Sequence, residues 1–441
     1  MLTPCGTRSL WQRMKPRTSR FMATVVANWK QHESDTDGKQ IGGFSSREQW
    51  SAFPAEKDHG LARLEFGEHI GYDQRYMIAR MLNAGACSST WLAWNSVLNK
   101  YVAVKVLSSY STKLHERRLL WEEEALKRLT FPSTSENCVH LLEYFMMKGR
   151  GSAGPHLCLA MPLYGGDVRS LVVFRTSPLP LPLVKRILLH FLRGIAFAHE
   201  RKIVHTSLKF DNVLFTTPAT TEDIKKWVEE DPPRRGQVAV SQPMKLPSDE
   251  EALCATYVLS DFGHGELFAH VYILIWLSQS SAFPASPRAN CTISPVLLRA
   301  PEVVLGGEWD TSADMWSFGC LAYELIAGDF LFEYRAPKVF GLTETENLLY
   351  QMMIYACEPF RAAQLNICPR ASEYFNPDCQ LKKNPTLGEQ PICSLLYDLN
   401  FLSDAECLAA SAFVQRCLRL NPEDRVTAKD LLEDVWLQGV E

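Results

Sequence analysis

The sequence predicts an α+β chain of two lobes, a small β-rich lobe with one key helix and a larger helical lobe. Three observations predict it. Residues 75–107 hold short runs of β-branched, aromatic and aliphatic residues separated by turn-like segments. Residues 115–129 then carry a helical apolar pattern with charges between. After about residue 165 the texture turns helical and stays so. A chain of 441 residues with 46% hydrophobic and 22% charged residues can afford a core of this size.

Taken in order, RYMIARML (75–82), STWLAWN (89–95) and YVAVKVL (101–107) read as a strand meander, with NAGACS and NSVLNK as its turns. HERRLLWEEEALKRL (115–129) places Leu119, Leu120, Ala125, Leu126 and Leu129 at helical spacing. HLCLAMPL (156–163) reads as another buried strand. LPLVKRILLHFLRGIAFAHE (181–200) has helical spacing and a proline near its start. ENLLYQMMIYACEPF (346–360), SDAECLAASAFVQRCL (403–418) and TAKDLLEDVWL (427–437) continue the helical series. The expected organisation is a tail over 1–65, a small lobe over 70–165 and a large lobe over 166–440.

Two segments interrupt the large lobe. Residues 216–256 are rich in Thr, Pro and charged residues and read as a solvated spacer with one short helix at EDIKKWVEE. Residues 267–292 contain the apolar run VYILIWL where a loop is expected. Such a run needs a cover, or does not belong in the mature product.

Bulk numbers exclude some functions. A net charge of -4 gives no global basic field for nucleic acid. No run of 18 apolar residues predicts a membrane span. The 13 cysteines lack metal spacing and read as free thiols of a reducing, intracellular compartment. The first 32 residues are basic and acid-free, which leaves two readings open, a mitochondrial import signal or a plain basic tail.

Several side chains look chemical. Lys105 ends the buried run VAVK, and a lysine there is costly unless it meets an anion. Glu122, Glu123 and Glu124 follow on the predicted helix, and Glu122 shares the face of Leu126 and Leu129, so it is the expected partner. LNAGACSSTW (82–91) sets Gly85 between Asn83 and Ser88, and a glycine there lets backbone N–H groups approach phosphate. Asp261, in SDFGHGE, ends a strand-like run and presents a carboxylate suited to Mg²⁺, with Phe262 turned inward. Asn212, in KFDNVLF, is a second oxygen donor.

These pieces come in a fixed order: VAVK, IVHTSLKFDNVLF, SDFGHGE, RAPE and DMWSFGC, then NPEDRVTA. In that order they resemble the eukaryotic protein kinases from about Tyr76 to Leu437, and among them the SR-protein kinases and their fungal relatives. Thr206, the spacer at 216–256 and ISPVLLRAPEVVLG carry the closer resemblance.

The resemblance implies a bilobal protein kinase fold, ATP and Mg²⁺ as cofactors, and phosphorylation of Ser or Thr on a protein substrate, Arg-Ser-rich by analogy. It implies a monomer of cytoplasm or nucleus, with no direct nucleic-acid or membrane partner. Carried over residue by residue, Lys105 clamps the nucleotide phosphates, Glu122 orients it and Gly85 anchors the phosphate loop. Asn83 and Thr90 belong to the nucleotide site, Thr90 in place of the usual valine. Ala103 and Leu214 sandwich the adenine, and backbone at Met161–Leu163 hydrogen-bonds it, with Pro162 where an acid is common. Asn212 and Asp261 hold Mg²⁺, and Lys209 stabilises the transferring phosphoryl. Glu302 of RAPE pairs with Arg425.

One departure decides the activity question. Ser207 stands where the resemblance requires an aspartate as general base. A serine hydroxyl cannot accept a proton near neutral pH, and general-base catalysis contributes about 10²–10⁴-fold. The expectations are therefore a slowed kinase or a nucleotide-binding scaffold. Asp211, beside Asn212, is expected to face away from substrate and offers no rescue.

Overall fold

Alternation along the first strands builds the upper sheet. The computed structural model describes residues 60–440 apart from 86, 151–153, 174, 176–177, 234–240, 265, 268–292, 338–339, 384 and 386–387. Six strands form it: β1 (His69–Ile70), β2 (Tyr76–Ala84), β3 (Ser88–Asn95), β4 (Lys100–Leu107), β5 (Glu143–Met147) and β6 (His156–Pro162). They lie antiparallel in the order β1-β2-β3-β4-β6-β5. Val102, Val104 and Val106 point to one face and pack with Tyr76, Ile78, Trp91 and Ala160 in a small core of their own. Ala103 and Lys105 fall between them and face the other way, as a period of two requires. Packing already begins at the start of the described chain, because Ala62 and Leu64 are buried in that core. The tail expected over 1–65 otherwise lies outside the described residues.

The single helix expected at 115–129 is two. Helix α1 (Ser109–Glu116) starts on a Ser108 cap and α2 (Glu122–Thr130) starts after a break. Arg118 takes a left-handed φ of 59° in that break, and Leu119 stays exposed. Ala125, Leu126 and Leu129 of α2 join the main core, against Leu157 and Leu159 of β6.

The lower lobe opens with β7 (Gly166–Asp167), α3 (Val168–Val173), α4 (Leu181–Glu200), β8 (Ile203–Val204) and β9 (Val213–Phe215). Next come α5 (Thr221–Glu230), α6 (Asp249–Cys254), β10 (Tyr257–Leu259), β11 (Glu266–Leu267) and α7 (Pro301–Val304). Helices α8 (Thr311–Ala327), α9 (Glu344–Ala356), α10 (Ala362–Asn366), α11 (Ala371–Tyr374), α12 (Ile392–Tyr397), α13 (Asp404–Cys417) and α14 (Ala428–Leu431) complete it. Helix α8 is buried on every side from Ala313 to Ala327, so it is the axis of the lobe. The run expected as a helix at 427–437 keeps only the short α14 and a 3-10 turn at Val435–Leu437.

The buried pair expected from RAPE is present. Arg425 donates to both carboxylate oxygens of Glu302 at 2.6 Å, with both side chains buried, and to the carbonyls of Arg419, Ser312 and Leu420. A buried ion pair is tolerable when its remaining donors are satisfied, as here.

The expected spacer helix at EDIKKWVEE is present and most described spacer residues are exposed or half-buried, but the segment also makes specific contacts. Helix α5 carries a Thr220–Asp223 capping box, and α6 a Ser248–Glu251 box. Each end of the spacer grips a different lobe. On the upper side, Arg80 of β2 is completely buried, with its guanidinium 3.6 Å from the centroid of Trp227 in α5. Arg80 also bonds the carboxylate and carbonyl of Asp231. Gln242 donates its backbone N–H to Met81 O at 2.9 Å and its side chain to Asp231 at 3.0 Å. On the lower side, Arg175 pairs with Asp249, and Arg186 donates to Ala255 O at 2.9 Å. The apolar run at 271–277 lies outside the described residues.

No helix among the described residues is long and apolar enough to cross a membrane. The described cysteines are free thiols.

Candidate active site

Strand register brings the first group of residues together. Asn83 pairs with Thr90, Thr90 with Lys105, and Lys105 with Leu159, so one row crosses the sheet. Ala103 pairs with Met161 two residues further along the same face. Gly85 sits in the β2–β3 hairpin and donates to Ser88 O at 2.9 Å. A Cβ on Gly85 would meet only Ser88 O at 4.0 Å, so the protein itself does not demand glycine there. Asn83 is exposed and caps Ala84 N through its own Oδ1 at 2.9 Å. Thr90 and Leu214 are half-buried, and Leu214 is set in β9 between Asp167 and Val258.

Lys105 is the centre of the cluster. Its Nζ lies 2.5 Å from Glu122 Oε1 and 2.8 Å from Asp261 Oδ1. Glu123 instead pairs with His115 and Lys127 on the outer side of α2. Gly263 fits tightly beside the trio, since a Cβ there would sit 3.3 Å from both Asp261 Oδ1 and Glu122 Oε2. Burial alone would lower the lysine pKa, but the carboxylates of Asp261 and Glu122 reverse this and hold it well above its ordinary value. The two acids respond oppositely. Burial outweighs the lysine for Glu122 and raises it. Burial also opposes ionisation of Asp261, yet Lys105 and Lys209 together hold its carboxyl well below the usual range. Asp261 is the more open of the two, with 38% of its side chain exposed against 3% for Glu122.

Several contacts hold Asp261 in place. Strand β10 leads into it, bonded to the 137–139 segment through Leu259 N to Asn137 O at 2.8 Å and Val139 N to Leu259 O at 2.9 Å. Gly194 of α4 lets this segment approach, because a Cβ there would meet Asn137 O at 2.5 Å. Phe262 is fully buried against the ring of His205, at 4.8 Å between centroids.

The catalytic-loop stretch is held from below by a residue that the sequence reading left without a role. Asp314 of α8 accepts the backbone N–H groups of His205 at 2.7 Å and Thr206 at 2.9 Å, and His199 at 2.9 Å. It is buried in an apolar helix, and that is the signal that could have found it. His205 bridges Ser260 O at 2.9 Å and Ser207 N at 3.2 Å. Burial lowers the pKa of this imidazole, in line with one ring nitrogen donating and the other accepting.

Asn212 is buried and donates its amide to Ser207 O at 2.9 Å, which leaves Oδ1 as the end free for a cation. Asp261 and Asn212 Oδ1 are the hard oxygen donors that Mg²⁺ shares with phosphate oxygens, so the residues fit the ion. Ser207 and Lys209 are half-buried on the same loop. Asp211 faces Arg169, at 3.1 and 3.2 Å. Glu324 of α8 is buried near that pair. Burial, with Asp329 adding to it, pushes Glu324 up to about 8.

A lysine bridged to a helix glutamate and to the aspartate of a DFG turn, over a loop held by a buried helix aspartate, is the frame of a phosphoryl-transfer site. The protein kinase domain family matches residues 76–226 and 259–437, the body of both lobes on either side of the spacer. The chain belongs to the protein kinase family. It is 27% identical to a serine/threonine-protein kinase SRPK of Physarum polycephalum over 387 residues, covering 84% of this chain and 87% of that one. It is 26% identical over 371 residues to a serine/threonine protein kinase of Aspergillus fumigatus, covering 83% and 85%. With protein kinase dsk1 of Schizosaccharomyces pombe it shares 23% over 505 residues, covering 95% and 87%. The family uses ATP and Mg²⁺ and acts on proteins.

Proposed function

We propose that this chain binds Mg²⁺-ATP and transfers its γ-phosphoryl slowly to Ser or Thr of a protein substrate, Arg-Ser-rich by analogy with its relatives. The bridge from Lys105 to Glu122 and Asp261 carries this reading, because it holds a cation and an ionised carboxylate in the arrangement that a nucleotide phosphate and its metal require. ATP with Mg²⁺ supplies the phosphoryl group and neutralises much of its charge. Lys105 fixes the nucleotide phosphates, Asn212 and Asp261 hold the ion, and Lys209 meets the charge on the transferring group. Ser207 orients the substrate hydroxyl without taking its proton. Phosphoryl transfer has a loose transition state, so positioning and electrostatics carry most of the rate and the lost base removes about 10²–10⁴-fold. Asp211 supplies no substitute base, since Arg169 holds its carboxylate.

The test is transfer of labelled phosphate from ATP to an Arg-Ser-rich peptide by the native chain, Ser207→Asp and Asp261→Ala. The expected order is Asp261→Ala lowest, native above it, and Ser207→Asp about a hundredfold or more above native. If native and Asp261→Ala are equally silent and Ser207→Asp does not help, the transfer reading fails. The second reading, which the serine itself favours, then takes its place: a pseudokinase that binds nucleotide or partners without turnover. A Mg²⁺-dependent rise in melting temperature with ATP supports nucleotide binding under either reading.

A further inference from the structure

The peptide unit between Thr206 and Ser207 is gripped at both ends by side chains. Its N–H, on Ser207, points to His205 Nδ1 at 3.2 Å. Its carbonyl, on Thr206, accepts the hydroxyl of Ser294 at 2.8 Å. Thr206 is β-branched, yet it takes a left-handed φ of 63°. That conformation is a genuine outlier for such a residue and persists only where its surroundings over-determine it. Ser294 is itself left-handed at φ 63°. Its own carbonyl and that of Ile293 accept Arg299 Nε at 3.0 and 3.3 Å. Arg299 lies just ahead of α7, so the chain that leads into α7 reaches back and grips the loop that carries the base position.

We infer that Ser294 is a positioning residue, whose hydroxyl holds the Thr206–Ser207 peptide plane in its strained orientation and thereby aims residue 207 at the phosphoryl acceptor. Asp314 fixes the near end of the loop through backbone N–H groups. Ser294 holds the carbonyl end of the plane and His205 its N–H end. The device needs no added charge: a neutral hydroxyl meeting a neutral carbonyl holds the loop in the unmodified chain. It deepens the transfer reading, but its first test does not depend on that reading.

The experiment is amide hydrogen exchange of the peptide spanning 203–215 in the full chain, native against Ser294→Ala and Ser317→Ala. Ser317 is the control, because its hydroxyl bonds the neighbouring Leu298 O at 2.7 Å and does not touch the loop. Exchange in Ser294→Ala is expected to rise about tenfold or more at residues 206–208, with Ser317→Ala unchanged there. Unchanged exchange in Ser294→Ala overturns the inference, as does an equal rise in Ser317→Ala. In the Ser207→Asp background, adding Ser294→Ala is expected to lower kcat about tenfold with KM for ATP within twofold. An equal loss in nucleotide binding would mark Ser294 as merely structural and overturn its positioning role. If no form transfers phosphate, the exchange result alone decides Ser294, and only the transfer reading falls.

Discussion

Replacing Glu324 by glutamine tests how the floor of the site is charged. The group is buried, and burial with Asp329 raises its pKa from 4.5 to about 8. A carboxyl with a raised folded-state pKa favours the fold fully below the unfolded value, and that contribution is lost as pH climbs through the folded value. The window is therefore about 4.5 to 8. At about 1.36 kcal/mol per pKa unit, integrating between pH 5 and pH 9 gives a loss of about 4 kcal/mol from this one group. Glutamine keeps the shape and cannot ionise. The assay is urea unfolding of native chain and Glu324→Gln at five pH values from 5 to 9. Every other titrating group is shared, so the difference between the two curves isolates residue 324. The variant is expected to gain on the native chain steadily up to about pH 8 and to level off above it. A difference that stays flat across the range would refute the reasoning, and would mean that Glu324 finds a cation or water when ionised.

Three further outcomes follow from the same geometry. Gly85→Ala is expected to leave stability within about 0.5 kcal/mol, because its φ is ordinary and the added Cβ meets nothing closer than Ser88 O at 4.0 Å; if the ATP-induced rise in melting temperature shrinks at the same time, the glycine serves the nucleotide. Trp227→Ala removes the cation–π contact while leaving the Asp231 bonds of Arg80, and is expected to cost about 2 kcal/mol in urea unfolding, while Lys226→Ala on the exposed side of the same helix changes nothing measurable. Lys105→Met leaves Glu122 buried without its cation and is expected to cost about 3–5 kcal/mol, of which Lys105→Met with Glu122→Leu recovers most; equal losses in the single and double variants would contradict the buried pairing.

How far the sequence revealed this molecule depends on the kind of signal. The strands around 75–107 were legible because one face packs and the other does not, and alternation records that directly. Helix α4 matches its expected span because proline marks its start and the apolar spacing is unbroken. The break at Arg118 was not legible, since a left-handed arginine carries none of the glycine or proline marks of a turn. The choice of Glu122 over its two neighbours rested on helix phase, and the structure sets that carboxylate on Lys105. The spacer's helix and largely exposed surface follow from its composition, but its contacts with the sheet do not. Its polar residues suggested solvent, while its anchor is a single tryptophan meeting an arginine that sits mid-strand 147 residues earlier in the chain (80 against 227). Asp314 and Ser294 act through backbone groups of a loop, and sequence spacing says nothing about those.

The Arg80 clamp changes where this molecule can be divided. By backbone path the small lobe ends near the hinge at Leu163, and a fragment stopping there would look complete as a sheet and two helices. Such a fragment would lack the Trp227 ring and the Asp231 acceptors that close over the Arg80 guanidinium. A face of the sheet that the full chain keeps out of water would then be exposed. The cooperative unit of the upper lobe therefore includes a piece of chain from far beyond the hinge, and cleavage within the spacer should loosen the upper sheet before the lower lobe feels it.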